Sequence, residues 1–276
     1  MVVKLTGIFS EACSALLATS LAVIPADFNL ETEKQSTRAM ATVGNINAQS
    51  ADVLVNYLTT VAPSEQSPDL LAFGSNGGEI PAARRIIQAM EGRFEVAYVF
   101  QAESAATAII SYADNVYATE DAVFMFHQAR LKRDALQKIH PQIPLDLETI
   151  TGKADDFVQS DFRQLHNTLL AIPNASQSYI EFARRTIELL EADNNFLKTA
   201  YQAKHPHLNN QCAEAITAEQ DLFLDAEQML ALGFVDAVLI NQGGNMLVRD
   251  DDPRATKFKD DHPDRYVTTN PTFRPQ

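Results

Sequence analysis

Between residues 40 and 127, short apolar runs alternate with stretches whose apolar residues recur at helical spacing. MATVGNI (40–46) reads as a strand, and NAQSADVLVNYLTTV (47–61) as a helix with Val53, Leu54, Tyr57 and Leu58 on one face. The cycle repeats with DLLAFG (69–74) as a strand, SNGGEI as a turn, and PAARRIIQAMEG (81–92) as a helix opened by proline and closed by glycine. A third cycle pairs the strand FEVAYVF (94–100) with the helix SAATAIISYA (104–113), and NVYAT and AVFMF add two more short strands. Strands alternating with helices at this spacing predict βαβ units. Their near-continuous apolar runs predict burial on both faces, hence an α/β fold with a mainly parallel sheet.

Beyond His127 the period changes. DDFVQSDFRQLHNTLLAI carries Phe157, Phe162, Leu165 and Leu169 at helical spacing and ends before Pro173. SYIEFARRTIELLEADNNFLKTAYQ then resumes with Ile180, Ala183, Ile187 and Leu190, so residues 130–215 are expected to form a helical arm or handle. A compact β-like and helical stretch returns in DLFLDAEQMLALGFVDAVLI (221–240). This divides the chain into an N-terminal extension (1–37), a main domain (38–240) and a polar, proline-containing tail (241–276) expected to be flexible.

With 46% hydrophobic residues in 276, the chain can bury a large core. A formal charge of −14 argues against a nucleic-acid partner, since phosphate neutralisation needs a basic surface. Cys13 and Cys212 are the only cysteines and fit neither a disulfide framework nor a zinc site, so no metal is expected. ACSALLATSLAVIPA is interrupted by polar residues and preceded by Glu11, and reads as an amphipathic extension packed on the body rather than a signal peptide. No run reaches the roughly 18–20 apolar residues of a membrane-spanning helix, and a cytoplasmic location without membrane contact is expected. His205 and His207 flank a proline and read as a solvated loop, and the charges of Arg184, Arg185 and LKRDALQK as exposed helix faces.

In an open parallel sheet, ligands bind outside the carboxyl ends of the strands, where successive loops converge. Three consecutive carboxyl ends carry Gly77-Gly78, Ser104 and His127. A di-glycine turn lets backbone N–H groups approach a reacting oxygen. A serine at the first turn of a helix has a free N–H beside it, from Ala105, and a favourable dipole for developing negative charge. His127 offers an imidazole, whose unperturbed titration range suits a general base. Taken singly, each feature has a plainer reading: an N-cap serine, a structural histidine, an ordinary turn. In this order at one sheet edge they form the parts of an acyl-transfer site.

FGSNGGEIPAARRIIQAM, QAESAATAIISYADNVYATEDAVFMFHQAR and QDLFLDAEQMLALGFVDAVL resemble the ClpP-like serine peptidases, the family of the Clp protease proteolytic subunit, over roughly residues 38–130 and 215–240. That family has a Ser-Pro-Gly-Gly turn, a small-residue motif ending in the nucleophilic serine, and a strand ending Met-Ile-His-Gln. The matching positions here are Ser75-Asn76-Gly77-Gly78, Gln101-Ala102-Glu103-Ser104 and Met125-Phe126-His127-Gln128. The resemblance implies a ClpP/crotonase-like fold of repeated β-β-α units with an enlarged helical handle. It assigns Ser104 as nucleophile, His127 as base, Asp221 as the orienting acid, and the N–H groups of Gly78 and Ala105 as the oxyanion hole, with no cofactor. It also implies a polypeptide or peptide substrate, a ring-type homo-oligomer and an AAA+ unfoldase partner.

Asp225, the rival to Asp221, precedes Ala226 with Gln228 three residues on, and reads as an N-cap with a capping-box partner. The chain departs from the family at Glu103, usually a small residue, at Phe100, usually glycine, and at Asn76 and Ala129, usually prolines. Two other classes stay open: a crotonase-like acyl-CoA enzyme, which shares the glycine-lined hole, and an inactive ClpP-like scaffold in a mixed oligomer, to which Glu103 points.

Overall fold

The computed structural model of the protein describes residues 21–25, 38–60, 69–90, 94–139, 151–153, 155–204, 221–240 and 245–269. The described residues fall into two compact units, the first running to 126 and resuming over 200–204, 221–240 and 245–269, the second within 127–199. The first unit is α/β and holds a mixed sheet. Its strands are β1 (Leu21–Pro25), β2 (Arg38–Val43), β3 (Asp69–Ser75), β4 (Phe94–Glu103), β5 (Asn115–Phe126), β6 (Leu222–Asp225), β7 (Ala237–Leu239), β8 (Asn245–Arg249) and β9 (Val267–Thr269). They run in the order β2-β3-β4-β5-β7-β8-β1-β9, with β6 against β5. From β2 to β7 the neighbours are parallel, while β6, β8, β1 and β9 pair antiparallel.

The three cycles read from the sequence are three βαβ crossovers. Helix α1 (Ala48–Thr60) links β2 to β3, α2 (Ile80–Met90) links β3 to β4, and α3 (Ala105–Ile110) links β4 to β5. Helix α1 starts at Asn47, whose carboxamide oxygen accepts the N–H of Ser50 while the Ser50 hydroxyl accepts that of Asn47. Among its described side chains Ala51 and Leu54 are buried, while Val53, expected on that face, is 60% exposed. Helix α2 buries Ala82, Ala83, Ile86, Ile87 and Met90, an i, i+1, i+4, i+5, i+8 stripe of the kind an amphipathic helix lays on a sheet.

NVYAT and AVFMF are not two strands but one. Between the pairs Val99↔Ala118 and Gln101↔Val123, residues 119–122 of β5 stand opposite the single residue Phe100 of β4. The polar triplet Thr119-Glu120-Asp121 therefore marks an irregularity within a strand, not a break. The halves of β5 have different further neighbours, β7 beside Tyr117–Thr119 and β6 beside Val123–Phe126.

Two boundary expectations also change. Leu21–Pro25, placed in an amphipathic extension, is a strand between β8 and β9; the rest of 1–37 lies outside the described residues. The tail is ordered over 245–269, where β8 and β9 flank a helix, Pro253–Asp261. Asp252 caps that helix by accepting the Arg254 N–H at 2.8 Å. In β8 only Met246 and Val248 face inward, and with Ala22, Ile24, Ala255 and Phe258 they close a core. The alternation is brief and embedded in charged sequence, so the hydrophobic pattern did not expose it.

The second unit is helical where described. It contains α4 (Arg133–Ile139), α5 (Gln159–Ala171) and most of α6 (Gln177–Lys204), whose last turn belongs to the first unit. Leu131 and Phe157 form an antiparallel bridge. The rings of Phe157, Phe162 and Phe182 pack edge to face at 6.2 and 6.1 Å, and Asp161, buried, accepts the Val158 N–H and an ion pair from Lys153. Arg184 and Arg185 lie on the solvent face of α6, where Arg184 pairs with Glu181 and Glu188 and Arg185 with Glu181. Helix α7 (Ala226–Ala231) lies in the first unit between β6 and β7.

Candidate active site

The carboxyl ends of β3 and β4 lie side by side, Ser75 opposite Ala102. Beyond β3 the chain is locked by its own serine: the Ser75 hydroxyl donates to the Gly44 carbonyl at 2.6 Å and accepts the Gly77 N–H at 3.1 Å. Gly77 (φ 81°) and Gly78 (φ 150°) both adopt backbone conformations that disfavour a side chain. A Cβ on Gly77 would stand 2.4 Å from the Glu103 carbonyl oxygen and 2.7 Å from Ser104 Cβ, and one on Gly78 would stand 2.0 Å from the Ile46 carbonyl oxygen. Both glycines are thus required by close approach as well as by φ.

The bridge of Gly78 to Ile46 fixes a direction. Ile46 N–H donates to the Gly77 carbonyl and Glu79 N–H donates to the Ile46 carbonyl, both at 2.8 Å. In such a parallel bridge Ile46 spends both its backbone groups, and those of the facing residue point the other way. The Gly78 N–H accordingly points away from Ile46.

Ser104 joins β4 to α3 with φ 56° and ψ −125°. Its side chain makes no cap to the helix, which removes the plain N-cap reading. A non-glycine residue in this region costs about 1–3 kcal/mol and persists only where the surroundings fix it. Here they do: the Ser104 N–H donates to the Met125 carbonyl at 2.7 Å, and the Ser104 carbonyl accepts both the N–H (3.0 Å) and the hydroxyl (2.5 Å) of Thr107. All six residues of α3 are buried, so the turn is packed from behind while Ser104 itself is half-buried. A sharp strand-to-helix turn presenting an uncapped hydroxyl is the geometry of a nucleophile elbow.

The two departures beside Ser104 also have places. The half-buried Glu103 carboxylate accepts the Gln101 side-chain N–H at 2.8 Å, two residues away along the same face of β4. Phe100 is the residue at which both ladders of β4 slip, and its ring lies over Gly74, where a Cβ would meet it at 1.9 Å.

Asp221 is exposed and immediately precedes β6, whose Leu222 pairs with Phe126 at the end of β5. Asp225, at the far end of β6, is the N-cap of α7: it accepts the Gln228 N–H at 2.8 Å while the Gln228 side chain accepts the Asp225 N–H at 3.0 Å. The capping box read from the sequence is therefore present. His127 follows Phe126 in the chain and opens the second unit, so the glycines, Ser104, Ala105 and Asp221 belong to one unit and His127 to the other. Its Nδ1 faces the Gln128 carbonyl. Since a carbonyl only accepts, that contact assigns a proton to Nδ1.

Thr107 and Tyr201 had no local signal as site residues. Tyr201 is fully buried, its ring against Phe126 (5.2 Å) and Phe234 (6.0 Å), and its hydroxyl meets Thr107 Oγ1 at 3.2 Å. Burial pushes the Tyr201 hydroxyl well above the usual phenol range, with Thr107 opposing the shift. Among the described residues no group of three or more His, Cys, Asp and Glu side chains could hold a metal ion, and no helix is long and apolar enough to cross a membrane. His205, His207, Cys13 and Cys212 lie outside the described residues. Compared with models of known protein families and with curated proteins, the sequence matches none of them.

Proposed function

We propose that this chain is a ClpP-like serine peptidase that cleaves polypeptides or short peptides through an acyl-enzyme. The observation that carries the reading is the backbone of Ser104, held at positive φ with its hydroxyl uncommitted to the helix behind it. A serine serving only as a cap has no need of that conformation. In the proposed cycle the Ser104 oxygen attacks the scissile carbonyl and His127 Nε2 takes its proton. The N–H groups of Gly78 and Ala105 receive the oxyanion, and His127 returns the proton to the departing amine. Water, activated by the same histidine, then releases the acyl group. Asp221 stabilises the imidazolium formed along the way. The fold reading is a ClpP/crotonase-like core with the helical unit as its handle, in a ring-type homo-oligomer served by an AAA+ unfoldase.

Incubation with a fluorophosphonate probe followed by peptide mass spectrometry tests this. Labelling at Ser104, with hydrolysis lost in Ser104→Ala, is the expected result; folded protein unlabelled at Ser104 overturns it. Glu103 favours a second reading, an inactive scaffold, because it puts a carboxylate next to the serine in the chain, where the resembled family usually has a small residue. In that case Glu103→Gly creates labelling that the natural chain lacks.

A further inference from the structure

We infer that Thr107 and Tyr201 are positioning residues that aim the Ala105 N–H, through a buried chain of hydroxyls ending on the Ser104 carbonyl. The inference rests on the peptidase reading and extends it to residues that never meet substrate.

The donor directions in this chain are fixed by chemistry. The Ser104 carbonyl only accepts, so the Thr107 hydroxyl, 2.5 Å away, spends its proton there. The contact between Thr107 Oγ1 and Tyr201 O at 3.2 Å then has the tyrosine as donor. Both hydroxyls are out of water, Thr107 at 1% and Tyr201 at 0% exposure, so neither has solvent as an alternative partner. The Thr107 N–H adds a second bond to the same carbonyl at 3.0 Å.

A trans peptide is planar, with its C=O and N–H pointing in opposite directions. The Ser104 carbonyl and the Ala105 N–H share one such plane. Pinning the carbonyl inward with two donors from Thr107 therefore fixes the N–H outward. It also resists the rotation about Ser104 ψ that would relax the residue from −125°. Loss of the Thr107 hydroxyl leaves one restraint of the two. Loss of the Tyr201 hydroxyl leaves the Thr107 oxygen short of a donor and the tyrosine's effect passes only through Thr107.

The test is the rate of Ser104 phosphonylation by a fluorophosphonate, whose phosphoryl oxygen draws on the same N–H, in the full-length protein. Wild-type labelling is measured first: its absence refutes the peptidase reading itself. Given labelling, Thr107→Val is expected to lower the maximal rate roughly tenfold with little change in the half-saturating probe concentration, and Thr107→Ser, which keeps the hydroxyl, to restore most of it. Tyr201→Phe is expected to lose about threefold alone and nothing further in the Thr107→Val background. A folded Thr107→Val protein labelled at the wild-type rate, a Thr107→Ser protein as slow as Thr107→Val, or additive losses in the double variant each overturn the inference. Circular dichroism and a denaturant midpoint on every variant identify loss of rate caused by unfolding.

Discussion

Gly77 is packed directly against Ser104: a methyl group on its α-carbon would lie 2.7 Å from Ser104 Cβ and 2.4 Å from the Glu103 carbonyl oxygen. The atoms in the way are backbone and the first side-chain carbon, which cannot swing aside, and the φ of 81° is itself unfavourable for alanine. Gly77→Ala is expected to cost about 1–3 kcal/mol in a denaturant melt and to suppress labelling of Ser104 strongly. A variant with normal stability and normal labelling would show that the turn and the serine are not coupled.

Phe100 and Gly74 form a second fitted pair, of a different kind. The clashing atoms are the far end of a ring that is 44% exposed, and Gly74 has no positive φ, so space alone decides. Gly74→Ala should cost about 1 kcal/mol by pushing the ring into water. Once Phe100→Ala has removed the ring, adding Gly74→Ala should cost almost nothing. Urea melts of the four-member cycle measure the coupling, and strictly additive changes contradict the pairing.

Asp221 and Asp225 should separate cleanly by the kind of loss they produce. Asp225→Ala removes the cap of α7 and is expected to destabilise by about 1 kcal/mol while hydrolysis survives. Asp221→Asn is expected to keep stability and lower kcat by orders of magnitude. The reverse pattern assigns the acid to Asp225.

Alkaline pH should unfold the first unit earlier than surface charge alone predicts. Burial raises the hydroxyls of both Tyr201 and Tyr117, the latter with Arg254 opposing and Asp236 and Asp252 reinforcing the shift. A phenol with its folded pKa raised contributes stability that is complete below the unfolded value of about 10 and is lost as pH climbs toward the folded one. Phenolate absorbance should therefore show tyrosines that ionise late, together with unfolding, and Tyr201→Phe should flatten the alkaline fall in melting temperature. Early ionisation of all tyrosines in folded protein contradicts the burial argument.

The βαβ half of the sheet was legible in the chain because each element there has enough residues to state its period. Helix α2 and strand β3 needed nothing from elsewhere to be recognised. β1, β8 and β9 were not, since strands of three to five residues show too little alternation and are defined by one another. At the site, the glycine turn, the strand-to-helix junction at Ser104 and the Asp225 cap were legible in the local sequence. The conformation of Ser104 did not, because a serine at positive φ is set by its neighbours in space, and Tyr201 reaches Thr107 from 94 positions away.

The slot that β1 occupies between β8 and β9 also bears on when the protein finishes folding. The parallel half can pair as it leaves the ribosome, each strand meeting one made just before it. β1 is made before the parallel half and has to wait for partners made after it, Leu21 meeting Arg249 and Thr269. Such contacts bear a loop-closure entropy and form late. While the parallel half is being synthesised the protein carries an unmated strand, and chaperone demand should concentrate in that interval.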